Sequence, residues 1–230
     1  MKPFDLGNIP GPHARQPVLT EGPEPGNAAG AIILLHGRGA GAQDIFGLGR
    51  ILTERLKRKD LILAAPHAFG ASWYPNRFME PIETNQPWLD SARAAVHLLI
   101  EVLTGEAALP ASRVFLVGFS QGACLATDVV AGHPRRYGGV LAFSGGLIGP
   151  AGTTFDYPGD LDGTPVFLGC SDVDPHIPHE RVHETAQVLT ALNGNVEQRT
   201  YPGMGHTINE DELGAAVELI ATALSSSSGE

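Results

Sequence analysis

The feature that most restricts the fold is an alternation. Short, almost wholly apolar runs at Ala31–Leu35, Leu61–Ala65, Val114–Val117, Val140–Phe143 and Val166–Gly169, with a more polar one at Val196–Tyr201, read as strands. Between them stand segments of helical periodicity at about Gln43–Lys57, Leu89–Thr104, Gln121–Ala131, Pro178–Leu192 and Glu210–Leu224. Strands without polar alternation are buried on both faces, so the pattern predicts an α/β class protein: a mostly parallel central sheet with helices on both faces and no separate lid domain. The rhythm breaks between His67 and Trp88, whose aromatics, prolines and asparagines read as one long loop, of a kind that in compact domains is usually functional or disordered. Residues 1–29, rich in Pro and Gly, read as an irregular lead-in or a short edge hairpin around Val18–Leu19. Residues 30–224 read as the domain proper and 225–230 as a flexible tail.

The formal net charge of -10 repels a polyanion, which argues against nucleic acid as a partner. The first residues lack the apolar core of a secretory signal, and no run approaches the roughly 18 apolar residues of a membrane span. A cytoplasmic protein is therefore expected. There Cys124 and Cys170 would remain thiols, packed as small hydrophobes. Whether the chain forms a homodimer is left open.

Residues 118–122 are GFSQG, a match to G-x-S-x-G. With 29 glycines in the chain the spelling alone is weak. Its setting is stronger, because the motif follows VFLV and opens a helical segment, the strand–turn–helix context that exposes a nucleophilic serine. A serine hydroxyl needs a base to take its proton, and the base needs a third group to hold its tautomer. Downstream of Ser120, the Val166 strand delivers Asp172 or Asp174, and the Val196 strand delivers His206. The order Ser, acid, His is the expected one.

Negative charge developing on a carbonyl oxygen needs backbone N–H donors. The loop HGRGAG, with Gly37, Gly39 and Gly41, can turn its amides inward, so the donors are assigned to the N–H groups of Arg38 and Gln121. The same loop fails as a dinucleotide motif, since Ala42 stands where the third glycine belongs, and as a P-loop, since no Lys-Ser/Thr follows. Trp73, Tyr74, Phe78 and Met79 in the long loop, with Ile45 and Phe46 after HGRGAG, are candidates for an apolar acyl or aryl pocket, and each could equally be core. The charge of Arg38 could favour a substrate carrying a carboxylate or phosphate, although a merely solvated arginine is the plainer reading.

Taken together and in order, LHGRGA, WYP, GFSQG, DPHIP and GMGH resemble the phospholipase/carboxylesterase family of α/β-hydrolases, which includes acyl-protein thioesterases and small bacterial carboxylesterases. The resemblance covers about residues 30–224. It implies the nucleophile Ser120, the acid Asp174 within D-P-x-[IV]-P, and the base His206; spacing alone had left Asp172 and Asp174 open. Arg38 and the segment SWYPNRF are closer to the bacterial esterase branch. The implied function is hydrolysis of small to medium carboxylic esters through an acyl-enzyme, with a small-molecule substrate and no cofactor or metal. Acyl thioesters and lysophospholipids are the alternatives that the same machinery serves.

One segment points elsewhere. HERVH (residues 179–183) fits the H-E-x-x-H zinc signature. Ala186 and Leu189 stand where one class of such sites would continue with Gly and His, so the expected third ligand is missing. A zinc hydrolase is the remote alternative; two surface histidines on a helix's first turns are the plain one.

Overall fold

The computed structural model describes residues 6–7, 9–105 and 109–225. The strands are β1 (Val18–Glu21), β2 (Gly30–Leu35), β3 (Leu61–Pro66), β4 (Val114–Phe119), β5 (Gly139–Phe143), β6 (Pro165–Ser171) and β7 (Asn195–Tyr201). The helices are α1 (Ala42–Arg55), α2 (Trp88–Gly105), α3 (Gln121–Gly132), α4 (His179–Ala191) and α5 (Glu210–Ser225). One sheet runs in the order β1-β3-β2-β4-β5-β6-β7, with β1 antiparallel to β3 and every other pair parallel.

Side-chain alternation explains why the strands read as unbroken apolar runs. Ile33 and Leu35 of β2, Leu116 of β4 and Leu168 of β6 face a layer built from α2, α3 and α4. Their neighbours Ile32, Leu34, Phe115 and Phe167 face α1 and α5. Both layers are buried hydrophobic clusters, so both faces must be apolar. Edge strand β7 is half exposed along its length, which accounts for its polar sequence.

The Val18–Leu19 segment is an edge strand and not half of a hairpin: its partner is β3, with Val18 opposite Pro66. The lead-in around it is irregular yet embedded, with Leu6, Ile9 and His13 buried. His13 accepts the Phe69 N–H on Nδ1 (3.1 Å) and meets Trp73 O with Nε2 (2.9 Å), so the lead-in anchors the long 67–88 loop. Of the expected tail, Ser225 closes α5 and residues 226–230 lie outside the described ones.

Candidate active site

Ser120 stands where β4 turns into α3, with φ 55° and ψ −119°, a backbone state that costs a non-glycine residue on the order of 1–3 kcal/mol. Its N–H donates to Phe143 O at 2.9 Å, which holds the turn. The chains beside it leave no room for side chains. A Cβ on Gly118 would lie 2.4 Å from Gly122 O, and one on Gly122 would lie 2.0 Å from Leu35 O. The two motif glycines therefore let α3 cross against the end of β2.

His206, on the loop after β7, lies with Nε2 2.8 Å from Ser120 Oγ and Nδ1 2.7 Å from Asp174 Oδ2. Asp174 follows β6, and its side chain is 0% exposed. Burial pushes its carboxyl up, but the hydrogen bond from His206 and those from the N–H groups of His176 (2.8 Å) and Ile177 (3.0 Å) outweigh it, leaving the group below the usual carboxylate range. An ionised Asp174 only accepts, so the neutral imidazole carries its proton on Nδ1 and offers Nε2 to the serine hydroxyl. The other candidate acid, Asp172, instead accepts the Gly203 N–H at 2.8 Å and ties the loop after β7 to the loop after β6. Phe119 and His176 flank the His206 ring, each at 4.8 Å between centroids.

These groups open on a cavity of about 330 Å³. Tyr74, Phe78, Phe119 and Ile177 give it apolar walls, while Arg38, Arg77 and His176 stand on its polar side. Arg38 and Gln121 both line it, and among the described residues neither backbone N–H donates to a protein acceptor. The Gln121 side chain accepts the Trp73 N–H (2.9 Å) and donates to Tyr74 O (2.8 Å), fixing the long loop to the nucleophile turn. His36 braces the facing loop: its Nε2 accepts the Ala68 N–H (3.1 Å) and its Nδ1 bonds Gly37 O (2.8 Å). Burial keeps the His36 ring below its ordinary pKa.

Four of the expected pocket residues are not brought to the cavity. Ile45 and Phe46 point from α1 into the core between that helix and the sheet. Trp73 is fully buried, its ring tilted against His36 with its indole N–H on His36 O (2.9 Å), and Met79 packs on the core beneath the loop. Sequence reasoning missed Arg77, Phe119, His176, Ile177 and Cys124 as lining residues. Three of these were readable, since Phe119 lies inside GFSQG and His176 and Ile177 inside DPHIP. Arg38 is not simply solvated: it donates to Pro75 O (2.6 Å) and to Asn76 O.

In HERVH, His179 meets Thr200 Oγ1 (2.8 Å), and His183 meets Gln198 Oε1 (3.4 Å) and Gln187 Nε2 (3.2 Å). Among the described residues no group of three or more His, Cys, Asp or Glu side chains converges as a metal site. Nor is any helix among them long and apolar enough to cross a membrane.

The phospholipase/carboxylesterase family model matches residues 23–224. The chain belongs to this family. A solved structure of a phospholipase/carboxylesterase from Dyadobacter fermentans DSM 18053 is 39% identical, covers 93% of this chain and 99% of its own, and superposes with a TM-score of 0.85. Curated relatives include a protein of Oryza sativa subsp. japonica named as a probable carboxylesterase (33% identity over 59% of this chain). Acyl-protein thioesterase 1 of Debaryomyces hansenii is similar too (33% over 49%). The chain spans about half the length of the curated relatives it matches, 58% of the rice protein and 49% of the yeast one. The mostly parallel sheet with its covering helices is the α/β-hydrolase architecture of these family members.

Proposed function

We propose that the protein is a serine esterase that hydrolyses small to medium carboxylic esters through an acyl-enzyme. The observation that carries this reading is the continuous hydrogen-bonded chain Ser120–His206–Asp174, assembled from three separate loops. In the first step His206 Nε2 takes the Ser120 proton as Oγ attacks the ester carbonyl. The carbonyl electron pair moves to oxygen, where the N–H groups of Arg38 and Gln121 receive it. As the tetrahedral centre collapses, the imidazolium gives its proton to the departing alcohol. Water then repeats the sequence on the acyl-enzyme, with His206 again the base. Asp174, ionised throughout, holds the imidazole and stabilises its charged form.

A cavity of about 330 Å³ lies at the small end of ligand sites and supports short or medium acyl chains. Thioester hydrolysis is the second reading, motivated by the similarity to proteins named acyl-protein thioesterase 1. Two buried, unpaired thiols fit a reducing compartment, and we place the protein in the cytoplasm on that ground.

The test measures p-nitrophenyl butyrate, an acyl thioester and a lysophospholipid side by side, with and without EDTA, for the native chain and Ser120→Ala. A turnover loss on the order of a millionfold on substitution, with no effect of the chelator, is expected. Activity that survives the substitution and disappears with EDTA would overturn the serine reading and revive the His179–His183 segment.

A further inference from the structure

The polar side of the Ser120 cavity has a charge pattern that hydrolysis of a neutral ester does not require. Although the chain carries a net charge of -10, no Asp or Glu among the described residues lines that cavity. Arg38, Arg77 and His176 do, and the same three also line an adjoining hollow completed by Pro75, Asn76, Glu80 and Thr84. They form a sill between the two. Among the described residues neither Arg38 nor Arg77 pairs with a carboxylate, whereas Arg93, Arg135 and Arg199 each do.

The sill is also built rather than loose. The Arg38 guanidinium is anchored on the carbonyls of Pro75 and Asn76 and stands 5.9 Å from the Tyr74 ring centre. Neutral acceptors orient the group without cancelling its charge. The Arg77 backbone is held from below by Asn85, which is 0% exposed, donates to Arg77 O (3.1 Å) and accepts the Asn76 N–H (2.8 Å). A buried amide committed to this one bend places both arginines at the mouth of the reactive cavity. Among the described residues Glu80 is the single acid of the adjoining hollow.

We propose that the preferred substrates carry an anionic oxygen group, carboxylate or phosphate, on the part of the ester that crosses the Arg38–Arg77–His176 sill. The inference rests on the serine-esterase reading and adds to it the substrate class. Guanidinium forks match both anions, and the field of unpaired cations draws such substrates to the serine.

The experiment compares matched esters by pH-stat: monoethyl adipate against ethyl hexanoate for charge on the acyl side, and 4-acetoxybutanoate against butyl acetate for charge on the alcohol side. The readout is the ratio of kcat/KM, charged over neutral. At low salt one of the two ratios should be about five or more, through KM, and should collapse toward one as salt screens the exposed charges. Arg77→Gln should cut that ratio about fivefold, Arg77→Lys should retain most of it, and Glu80→Gln should raise it. Each ratio comes from one protein preparation, so a general loss of activity cancels. Adipate and inorganic phosphate, tested as inhibitors of ethyl hexanoate hydrolysis by the native protein, distinguish the two anions. Ratios below one for both pairs at low salt, or a ratio that Arg77→Gln leaves unchanged, overturn the proposal while ethyl hexanoate is still hydrolysed. Failure to hydrolyse any of the four esters instead overturns the esterase reading beneath it.

Discussion

Replacing Asp174 by Asn tests the proposed chemistry at the atom that matters most. Asp174 Oδ1 already accepts two backbone N–H groups, from His176 at 2.8 Å and Ile177 at 3.0 Å, a place only an oxygen can fill. An asparagine there must keep its carbonyl toward those donors and turn its NH2 toward His206 Nδ1, now 2.7 Å from Oδ2. Nδ1 is then forced to accept, and the neutral imidazole carries its proton on Nε2, facing Ser120 Oγ with a donor where a base is needed. The wrong tautomer, together with the lost support for the imidazolium, is worth about 10⁴ in kcat. At 1.36 kcal/mol per decade that is about 5.4 kcal/mol. KM should move little. Asp172→Asn is the matched control, because its amide oxygen can still accept the Gly203 N–H, and it should change kcat less than about threefold. Initial rates on p-nitrophenyl butyrate near neutral pH, with a thermal melt to show both variants folded, decide the matter. A folded Asp174→Asn that loses less than about tenfold, or an Asp172→Asn that loses as much, refutes the assignment.

The remaining predictions concern stability. Gly122→Ala drives a Cβ against Leu35 O at 2.0 Å and His36 O at 2.7 Å, both backbone atoms that cannot swing away. A destabilisation of about 3 kcal/mol is expected, lowering Tm by about 6–12 °C in a domain of this size; an unchanged calorimetric midpoint would remove the argument for close approach. Buried His13 and His36 titrate below their ordinary value, so the unfolded chain takes up protons first and stability falls as pH drops below about 6.5. Glu212 works the other way: burial pushes its carboxyl up to about 7 from 4.5, so its contribution is full below 4.5 and is lost as pH rises through 7. Urea unfolding of Glu212→Gln between those limits should therefore rise more steeply with pH than that of the native chain, and parallel curves would contradict the assignment.

The framework was legible because two-sided burial writes itself into the sequence. Six strands and five helices follow from apolar runs and helical periodicity, their ends displaced by no more than about two residues. β1 was harder, since a four-residue edge strand with Val18 alone buried leaves no periodicity to read. The substrate side was left open between pocket and core for a different reason. Ile45, Phe46 and Leu52 form a helical stripe, which is the mark of a core face, and nearness to HGRGAG in sequence is no guide to which face of α1 they occupy. Residue type leaves Trp73 open between pocket and core, and its place is set by carbonyl and amide partners that sequence does not display. The same holds for Arg38, whose anchors are the backbone oxygens of Pro75 and Asn76.

That difference divides the site into two mechanical parts. The groups proposed to react stand on loops at the carboxyl ends of β4, β6 and β7, locked by contacts with almost no tolerance: the Gly118–Gly122 crossing, the Ser120 to Phe143 bond and the Asp172 to Gly203 tie. The 67–88 loop, which carries the proposed substrate side, is irregular and hangs on a few polar side chains: His13 and Gln121 bond its backbone across long sequence intervals, and Asn85, itself part of the loop, ties Asn76 to Arg77. Such anchors fix where the loop's backbone runs while leaving the exposed side chains of Arg77 and Glu80 free of any packing duty. Substitutions among those side chains can change which ester is accepted at little cost in stability, whereas substitutions at the crossing cost the fold before they change the chemistry.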